Sequence, residues 1–163
     1  MEVVELSATA LTSIPDALAH SQSLRRLPAG LGANPSLIEL DVEDVPLRID
    51  AVRRIAGMRS LRWLNPGGAR EIPDGIWHLP HLEFLGLARA RNFTLPSSSD
   101  EFSPRLRSVD LSGTSIGELK SLVALQKLTQ LQYLNLSDTP LGNRWPEWRD
   151  PLVSATLVRH MDS

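Results

Sequence analysis

The stretch LEFLGLARARNFTLP, residues 82–96, carries the pattern that decides the fold. Its first half has the form Leu-x-x-Leu-x-Leu, with leucines at positions 82, 85 and 87, and it ends in Leu95-Pro96. The same form, with occasional valine or proline, begins at Leu37, Leu61, Leu82, Leu106 and Leu131. These starts lie 24, 21, 24 and 25 residues apart. A recurrence at this period indicates a repeat architecture in which each unit is one supersecondary element.

The composition bounds the class of protein. The 163 residues are 42% apolar, which suits one domain of ordinary size. A net charge of -2 lacks the basic excess that nucleic-acid binding usually requires. No apolar run approaches the roughly 18 residues of a membrane span, and no secretory signal is visible in MEVVELSATA. Zero cysteine excludes disulfide caps, thiolate zinc sites and a cysteine nucleophile, and it suits an intracellular, reducing compartment.

The repeated units resemble the leucine-rich-repeat family, whose period is about 20–29 residues. Descents of the intracellular "LP" type follow at Ile14-Pro15, Ile72-Pro73 and Leu95-Pro96, and an earlier copy of the strand pattern fits at residues 1–6. The resemblance implies an α/β fold, a leucine-rich-repeat solenoid. We expect a short curved horseshoe with a parallel β-sheet on the concave face and short helices and turns on the convex face.

Threonine takes the place of the family's usual ladder asparagine at Thr9, Thr114 and Thr139. Their hydroxyls are expected to bond to the backbone of the neighbouring turn. Pro66 lacks a backbone donor, so the strand that it follows should be short.

The pattern predicts one domain over residues 1–163, with two segments that depart from the regular repeat. At about residues 16–36 the strand pattern is missing, so we expect an irregular, mostly helical unit there. At residues 145–163 we expect a capping segment. Apolar residues at i, i+3 spacing predict convex helices at 49–58 and 117–128, whereas the Ser- and Pro-rich segment 96–104 predicts an irregular loop. Because the chain enters a strand pattern almost at its first residue, we expect a fragment of a longer protein.

Strand alternation predicts which side chains face the concave surface. Three aromatic residues fall there, and large aromatics dominate binding hot spots. An acidic run that ends at Asp44 would steer a basic partner. Arg89 and Arg91 adjoin this run and would contact an anion of the partner. The predicted protein-binding residues are Glu39, Asp41, Glu43, Trp63, Phe84, Arg89, Asp110, Tyr133 and Asn135. On the alternative interpretation the aromatics merely cover a thin sheet around Pro66-Gly67-Gly68, and the acidic run is a solvated edge.

Catalytic motifs are not visible in the sequence. The histidine pair His78-x-x-His81 has no third ligand close in sequence, and there is no nucleophile elbow, Walker loop or dinucleotide-binding glycine motif. We therefore predict no catalytic residue, no metal or cofactor and no small-molecule substrate within the chain. The expected partner is another protein with a basic segment, with neither nucleic acid nor a membrane involved, and the module is expected to be monomeric.

The repeat style is similar to that of the leucine-rich-repeat portions of bacterial effectors that type III secretion systems inject into host cells. That resemblance implies a non-catalytic interaction module that acts on host proteins in the host cytoplasm. The alternative is the substrate-recognition domain of a bacterial ubiquitin ligase. Its catalytic domain would lie outside this chain, because the ligase class paired with such repeats uses a cysteine thioester. Receptor ectodomains that bind carbohydrate or peptide hormones are disfavoured by the missing cysteine caps.

Overall fold

The structure is a computed structural model, and it describes residues 35–45 and 49–147. The first strand copy, Thr9, most of the irregular unit at 16–36 and the capping residues from 148 onward lie outside the described residues. Each unit is called a coil, and coils 1 to 5 begin at Leu37, Leu61, Leu82, Leu106 and Leu131.

Within the described residues, five three-residue strands form one parallel sheet in sequence order. Each strand lies at the predicted place in its coil, and each is in register with its neighbours, so that Glu39 pairs with Trp63 and Trp63 with Phe84. Parallel strands need a crossover between them, and here the rest of each coil supplies it. The strands are β1 Glu39–Asp41, β2 Trp63–Asn65, β3 Phe84–Gly86, β4 Ser108–Asp110 and β5 Tyr133–Asn135.

The repeated aliphatic residues form the core. The middle residue of every strand is at most 3% exposed, and the leucine that begins each coil is at most 4% exposed. One coil cannot bury this ridge by itself, so neighbouring coils stack until the ridge is continuous. Burial of each leucine stabilises the fold by about 1.5–3 kcal/mol. The middle residues are Leu40, Leu64, Leu85, Val109 and Leu134.

The helices on the other side of the coils are short. Helix α1, Ile49–Ile55, confirms the first predicted helix but ends earlier, at a turn in which Gly57 N donates to Arg54 O. The second predicted helix was too long. Residues Leu119–Leu122 form a 3₁₀ helix that continues into α2, the single turn Val123–Gln126. Further 3₁₀ turns lie at Asp74–Ile76, Ser99–Glu101 and Gly142–Glu147.

The loop predicted at 96–104 is irregular apart from one 3₁₀ turn. That turn, Ser99–Glu101, begins with a capping box in which Ser98 N donates to Glu101 Oε1 at 3.1 Å. A capping box satisfies backbone donors at a helix start, and here it stabilises a single turn within the loop.

Pro66 removes one hydrogen bond from the sheet rather than shortening its strand. In coils 1, 3 and 4 the equivalent residue donates to the next coil, as Val42 N does to Asn65 O at 2.9 Å. Proline has no such donor. Accordingly β2 pairs with β3 through two residue pairs, whereas the other strand pairs have three. Strand β2 is short, as predicted, but at three residues it is no shorter than its neighbours, so Pro66 affects its pairing and not its length.

The two described threonines at the ladder position bond within their own coil. Thr114 Oγ1 donates to Leu111 O and Thr139 Oγ1 donates to Leu136 O, each at 2.6 Å. The predicted bond to a neighbouring turn is therefore wrong, because a hydroxyl is shorter than an amide and reaches its own turn first. In coils 1 to 3 the ladder position is apolar, at Val45, Ala69 and Ala90.

Among the residues that the structure describes, Trp77 is the largest fully buried side chain, and no sequence motif marks it. It is 1% exposed and contacts Phe102 edge-on, with ring centroids 5.4 Å apart. Phe93 packs at 6.3 Å in a tilted geometry. These three rings fill the interior between the descending parts of coils 2 and 3. No helix among the described residues is long and apolar enough to cross a membrane.

Candidate protein-binding site

The face of the sheet opposite the core, here called the concave face, presents three columns of side chains. The register of the strands aligns them from coil to coil. The first column is Glu39, Trp63, Phe84, Ser108 and Tyr133. The second is Asp41, Asn65, Gly86, Asp110 and Asn135, and the third is Glu43, Gly67, Ala88, Ser112 and Ser137.

Trp63 and Phe84 form a stacked pair at the centre of the first column. Their ring centroids are 4.8 Å apart and their planes differ by 5°. Such a pair contributes about 0.5–1.5 kcal/mol beyond its area burial. Both rings stay half-buried, so one side of the stack remains open to solvent.

Tyr133 does not join this stack. Ser108 lies between Phe84 and Tyr133 in the register, so the two aromatic residues are separated by two strand spacings, about 10 Å. Tyr133 is 39% exposed. The three predicted aromatics therefore form one pair and one separate ring on the same face.

The second column closes the turn after each strand. Asp41 Oδ1 accepts a hydrogen bond from Glu43 N at 3.0 Å, and Asp110 Oδ1 accepts one from Ser112 N at 2.8 Å. Asn135 Oδ1 does the same with Ser137 N at 3.0 Å. Short acidic and amide side chains favour this local bond, which mimics a backbone turn. Asp41, Asp110 and Asn135 thus have a structural role that the sequence prediction missed, although their equivalent position in each repeat was a visible signal.

The fourth member of this series is Asn65, and Gly86 gives it room. Asn65 Oδ1 accepts from Gly67 N at 3.3 Å, and its Nδ2 donates to Glu43 Oε2 at 3.1 Å. A Cβ atom on Gly86 would lie 2.5 Å from Asn65 Oδ1 and 3.2 Å from Phe84 Cε1. The glycine therefore lets the asparagine side chain lie beside the aromatic pair.

Arg89 neutralises part of the predicted acidic cluster. Its Nη2 donates to Glu43 Oε1 and to Asp44 Oδ2, both at 2.9 Å. We call these three residues the Arg89 clamp. The hydrogen bond to Asp44 and the charges of Asp44 and Glu43 raise the pKa of the guanidinium above its ordinary value. The Arg89 side chain thus binds the chain's own carboxylates, whereas the sequence predicted a contact with an anion of the partner.

Gly68 makes the clamp possible. In each coil one residue after the strand adopts a positive φ, at Asp44, Gly68, Arg89, Gly113 and Asp138. Gly68, with φ of 76°, lies between Asp44 and Arg89 in this series, and a Cβ there would come within 2.5 Å of Asp44 Oδ1. Because coil 2 carries no side chain at that point, Arg89 of coil 3 reaches the carboxylates of coil 1.

Removing the Arg89 side chain is expected to lower the free energy of unfolding only modestly. More than half of the side chain is exposed, so water screens the ion pairs and Arg89→Ala should cost about 0.5–1 kcal/mol. Urea denaturation at low ionic strength and at about 1 M salt, where the Debye length is about 3 Å, measures this. Arg91→Ala, an exposed arginine of the same coil, is the control. Equal losses in both variants, or a loss that persists in high salt, would contradict the clamp.

Metal chemistry finds no support among the described residues. No group of three or more His, Cys, Asp or Glu in that part of the chain is placed to hold a metal ion. His78 is exposed, and its Nδ1 lies 3.2 Å from the carbonyl oxygen of Asp74, which is a local turn contact.

Comparisons with known proteins bear on the fold. No protein-family model matches the chain. The human leucine-rich repeat-containing G-protein coupled receptor 6 is 32% identical over 117 residues, which are 69% of this chain and 12% of the receptor. The chain thus spans about an eighth of the length of this curated relative.

Two bacterial structures share the architecture. A crystal structure of an internalin from Listeria monocytogenes has a TM-score of 0.62 at 17% identity and covers 83% of this chain and 36% of the internalin. A leucine-rich-repeat protein of Leptospira interrogans has a TM-score of 0.56 at 22% identity, with 79% of this chain and 35% of that protein covered. At these identities the likeness concerns the fold. Together with the five stacked coils and their buried leucines, it identifies the chain as a leucine-rich-repeat solenoid.

Proposed function

We propose that this chain is a non-catalytic recognition module that binds a partner protein on its concave face, centred on Trp63 and Phe84. Solenoids of this kind use the extended concave surface for binding. The observation that carries the proposal is the stacked, half-exposed aromatic pair on the solvent side of the sheet. Aromatic side chains lose little conformational entropy when a partner covers them, and they dominate the binding energy of many interfaces.

The competing interpretation is that the pair only covers a thin part of the sheet. It has a physical basis, because Trp63 and Phe84 lie on the two strands, β2 and β3, between which Pro66 removes a backbone hydrogen bond. Both rings nevertheless keep solvent access, and the described residues place no second layer over them. A covering role and a binding role make opposite predictions for a variant that stays folded.

The charged surroundings favour a partner with a basic segment. Glu39 is the register partner of Trp63 and is exposed, and Asp41 lies in the next column. Rim carboxylates of this kind steer a basic partner and raise its association rate more than its affinity. In the proposal, Glu39 and Asp41 contact lysine or arginine of the partner, while the Arg89 clamp holds Glu43 and Asp44 in place.

The proposal also includes a biological setting for the module. We place the module in a bacterial effector that type III secretion delivers to the host cytoplasm, where the module binds a host protein as a monomer. The support is the LP-type repeat and the absence of cysteine caps. The alternative is the substrate-recognition domain of a bacterial ubiquitin ligase. Gene sequence flanking these residues separates the two, since a neighbouring domain with a thioester cysteine would favour the ligase.

The concave-face proposal is tested by capture of a partner from host-cell lysate with the wild type and with a Trp63→Ala, Phe84→Ala double variant. We expect capture of a protein that the wild type enriches to fall about 30-fold, which corresponds to about 2 kcal/mol of binding energy. Val123→Ala is the matched control, because Val123 is an exposed apolar residue, 45% accessible, on helix α2 away from the sheet. Circular dichroism establishes that both variants are folded. Undiminished capture by the folded double variant would remove the proposal.

A further inference from the structure

The parallel sheet collects a set of arginines along one edge. In a parallel sheet all strands start at the same edge, so residues that precede successive strands lie next to one another. Arg62 directly precedes β2 and Arg107 directly precedes β4. Arg59 and Arg105 lie in the turns just before them, and all four are exposed. We call Arg59, Arg62, Arg105 and Arg107 the arginine rim.

Backbone bonds fix the geometry of this rim. Glu83 N donates to Arg62 O, and Arg107 N donates to Glu83 O, both at 2.8 Å. Arg62, Glu83 and Arg107 therefore occupy equivalent positions in coils 2, 3 and 4. Two strand spacings separate the two arginine backbones, which is about 10 Å.

The charges of the rim are available for a partner. Within residues 35–45 and 49–147, Arg59, Arg105 and Arg107 form no ion pair. Arg62 Nε lies 3.9 Å from Glu83 Oε1, a long and largely exposed contact of little energetic weight. At the opposite ends of the strands, by contrast, Glu43 and Asp44 are bonded to Arg89. The N-terminal ends of the strands thus carry three arginines, Arg59, Arg105 and Arg107, that form no ion pair within the described part of the chain.

We propose that the arginine rim binds an acidic segment of the protein that docks on the concave face. Guanidinium groups pair with carboxylates through two parallel hydrogen bonds, which gives direction as well as affinity. In a polyproline II conformation, which has three residues per turn and a rise of about 3.1 Å per residue, side chains three apart lie on the same side and about 9 Å apart. This is close to the separation of the Arg62 and Arg107 backbones. A nucleic acid fits less well, because it carries a negative charge at every phosphate, including those beside Glu83 between Arg62 and Arg107. A peptide can place an uncharged residue at that point.

The inference deepens the proposed function and rests on it for the identity of the partner, but the rim is tested without that partner. The probe is a fluorescein-labelled peptide about twelve residues long, with glutamate at every third position among glycine and serine, enough to span the rim at about 3.3 Å per residue. Fluorescence anisotropy at low ionic strength reports its binding to the full chain. A peptide with glutamine in place of glutamate and a single-stranded oligonucleotide serve as further probes.

We expect the glutamate peptide to bind, and an Arg105→Gln, Arg107→Gln variant to bind it about fivefold more weakly. Arg70→Gln, Arg91→Gln is the matched control. It removes the same charge from exposed arginines in the descending parts of coils 2 and 3, and it should change binding less than about twofold. Added salt should abolish the difference between the two variants.

Three outcomes would overturn the proposal. They are no binding of the glutamate peptide, an equal loss in the two double variants, and oligonucleotide binding that exceeds peptide binding and depends on Arg105 and Arg107. The Trp63→Ala, Phe84→Ala variant should keep the rim intact and bind the peptide like the wild type. If the folded double variant captures the partner as well as the wild type does, the concave-face proposal fails but the peptide result at the rim still stands. If the glutamate peptide does not bind, the rim proposal fails but the capture result still stands.

Discussion

Replacing Trp77 with alanine is expected to lower the free energy of unfolding by about 3–5 kcal/mol, the largest loss foreseen for any substitution considered. The indole is 1% exposed and packs against two other aromatic rings, so its removal leaves a cavity that the stiff backbone of stacked coils cannot fill. In a solenoid that cavity weakens two coils at once, because each coil is held by its neighbours. Denaturation in urea followed by circular dichroism measures the change.

A Trp77→Phe variant separates the stabilising effect of the buried ring from the destabilising effect of the unsatisfied indole N–H. Among the described residues, Trp77 Nε1 is a buried nitrogen without a hydrogen-bond partner, and such a group costs about 1–3 kcal/mol. Phenylalanine leaves a smaller void than alanine and removes the unsatisfied donor. We therefore expect Trp77→Phe to lose less than half of what Trp77→Ala loses. If Trp77→Ala has no more effect than a surface substitution, Trp77 is not in the core.

The second large effect is expected at Gly142, where alanine should cost about 2–3 kcal/mol. A Cβ atom at this position would overlap the carbonyl oxygen of Leu136 and lie 3.0 Å from Thr139 Oγ1. Backbone cannot yield as the end of a flexible side chain can, so the turn itself has to move. Gly142 N also donates to Thr139 Oγ1 at 2.8 Å, and this bond would be displaced with the turn.

Gly117→Ala is the control for Gly142→Ala. At Gly117 the nearest atom to an added Cβ is Pro140 Cβ, at 3.7 Å, which is ordinary contact. Alanine there reduces the entropy of the unfolded chain, so stability should be unchanged or rise by about 0.4–1 kcal/mol. The two substitutions are compared by thermal and urea denaturation. A similar loss in both variants would show that glycine flexibility, rather than close approach, matters at Gly142.

The solenoid could be predicted because its information is local and repeated. Leucine spacing in each coil determines which side chains point inward, and five copies fixed the register that places Trp63 beside Phe84. The helix predicted at 117–128 was too long, because apolar i, i+3 spacing shows which residues face the core but not how many residues of a coil are helical. The predicted binding role of the concave residues remains a prediction.

What the sequence did not reveal depends on contacts between distant residues. Arg89 meets Glu43 and Asp44 across more than forty positions, and nothing in the local pattern marks that pairing. Trp77 lay in a descending segment whose packing depends on Phe93 and Phe102 of the next coil. Pro66 could be recognised as a missing donor, but the consequence was a lost pair between β2 and β3 rather than a shorter strand.

The Arg89 clamp changes how cooperativity can pass along the molecule. In a repeat protein, free energy is transmitted from each unit to the next, and the weakest interface decides where the array divides into independently opening blocks. The hydrogen bond missing at Pro66 marks the interface of coils 2 and 3 as a candidate for that division. Arg89 joins coil 3 to coil 1 past this interface, which nearest-neighbour coupling does not include. Opening between coils 2 and 3 therefore requires the clamp to break as well, which adds its modest free energy to the weakened interface.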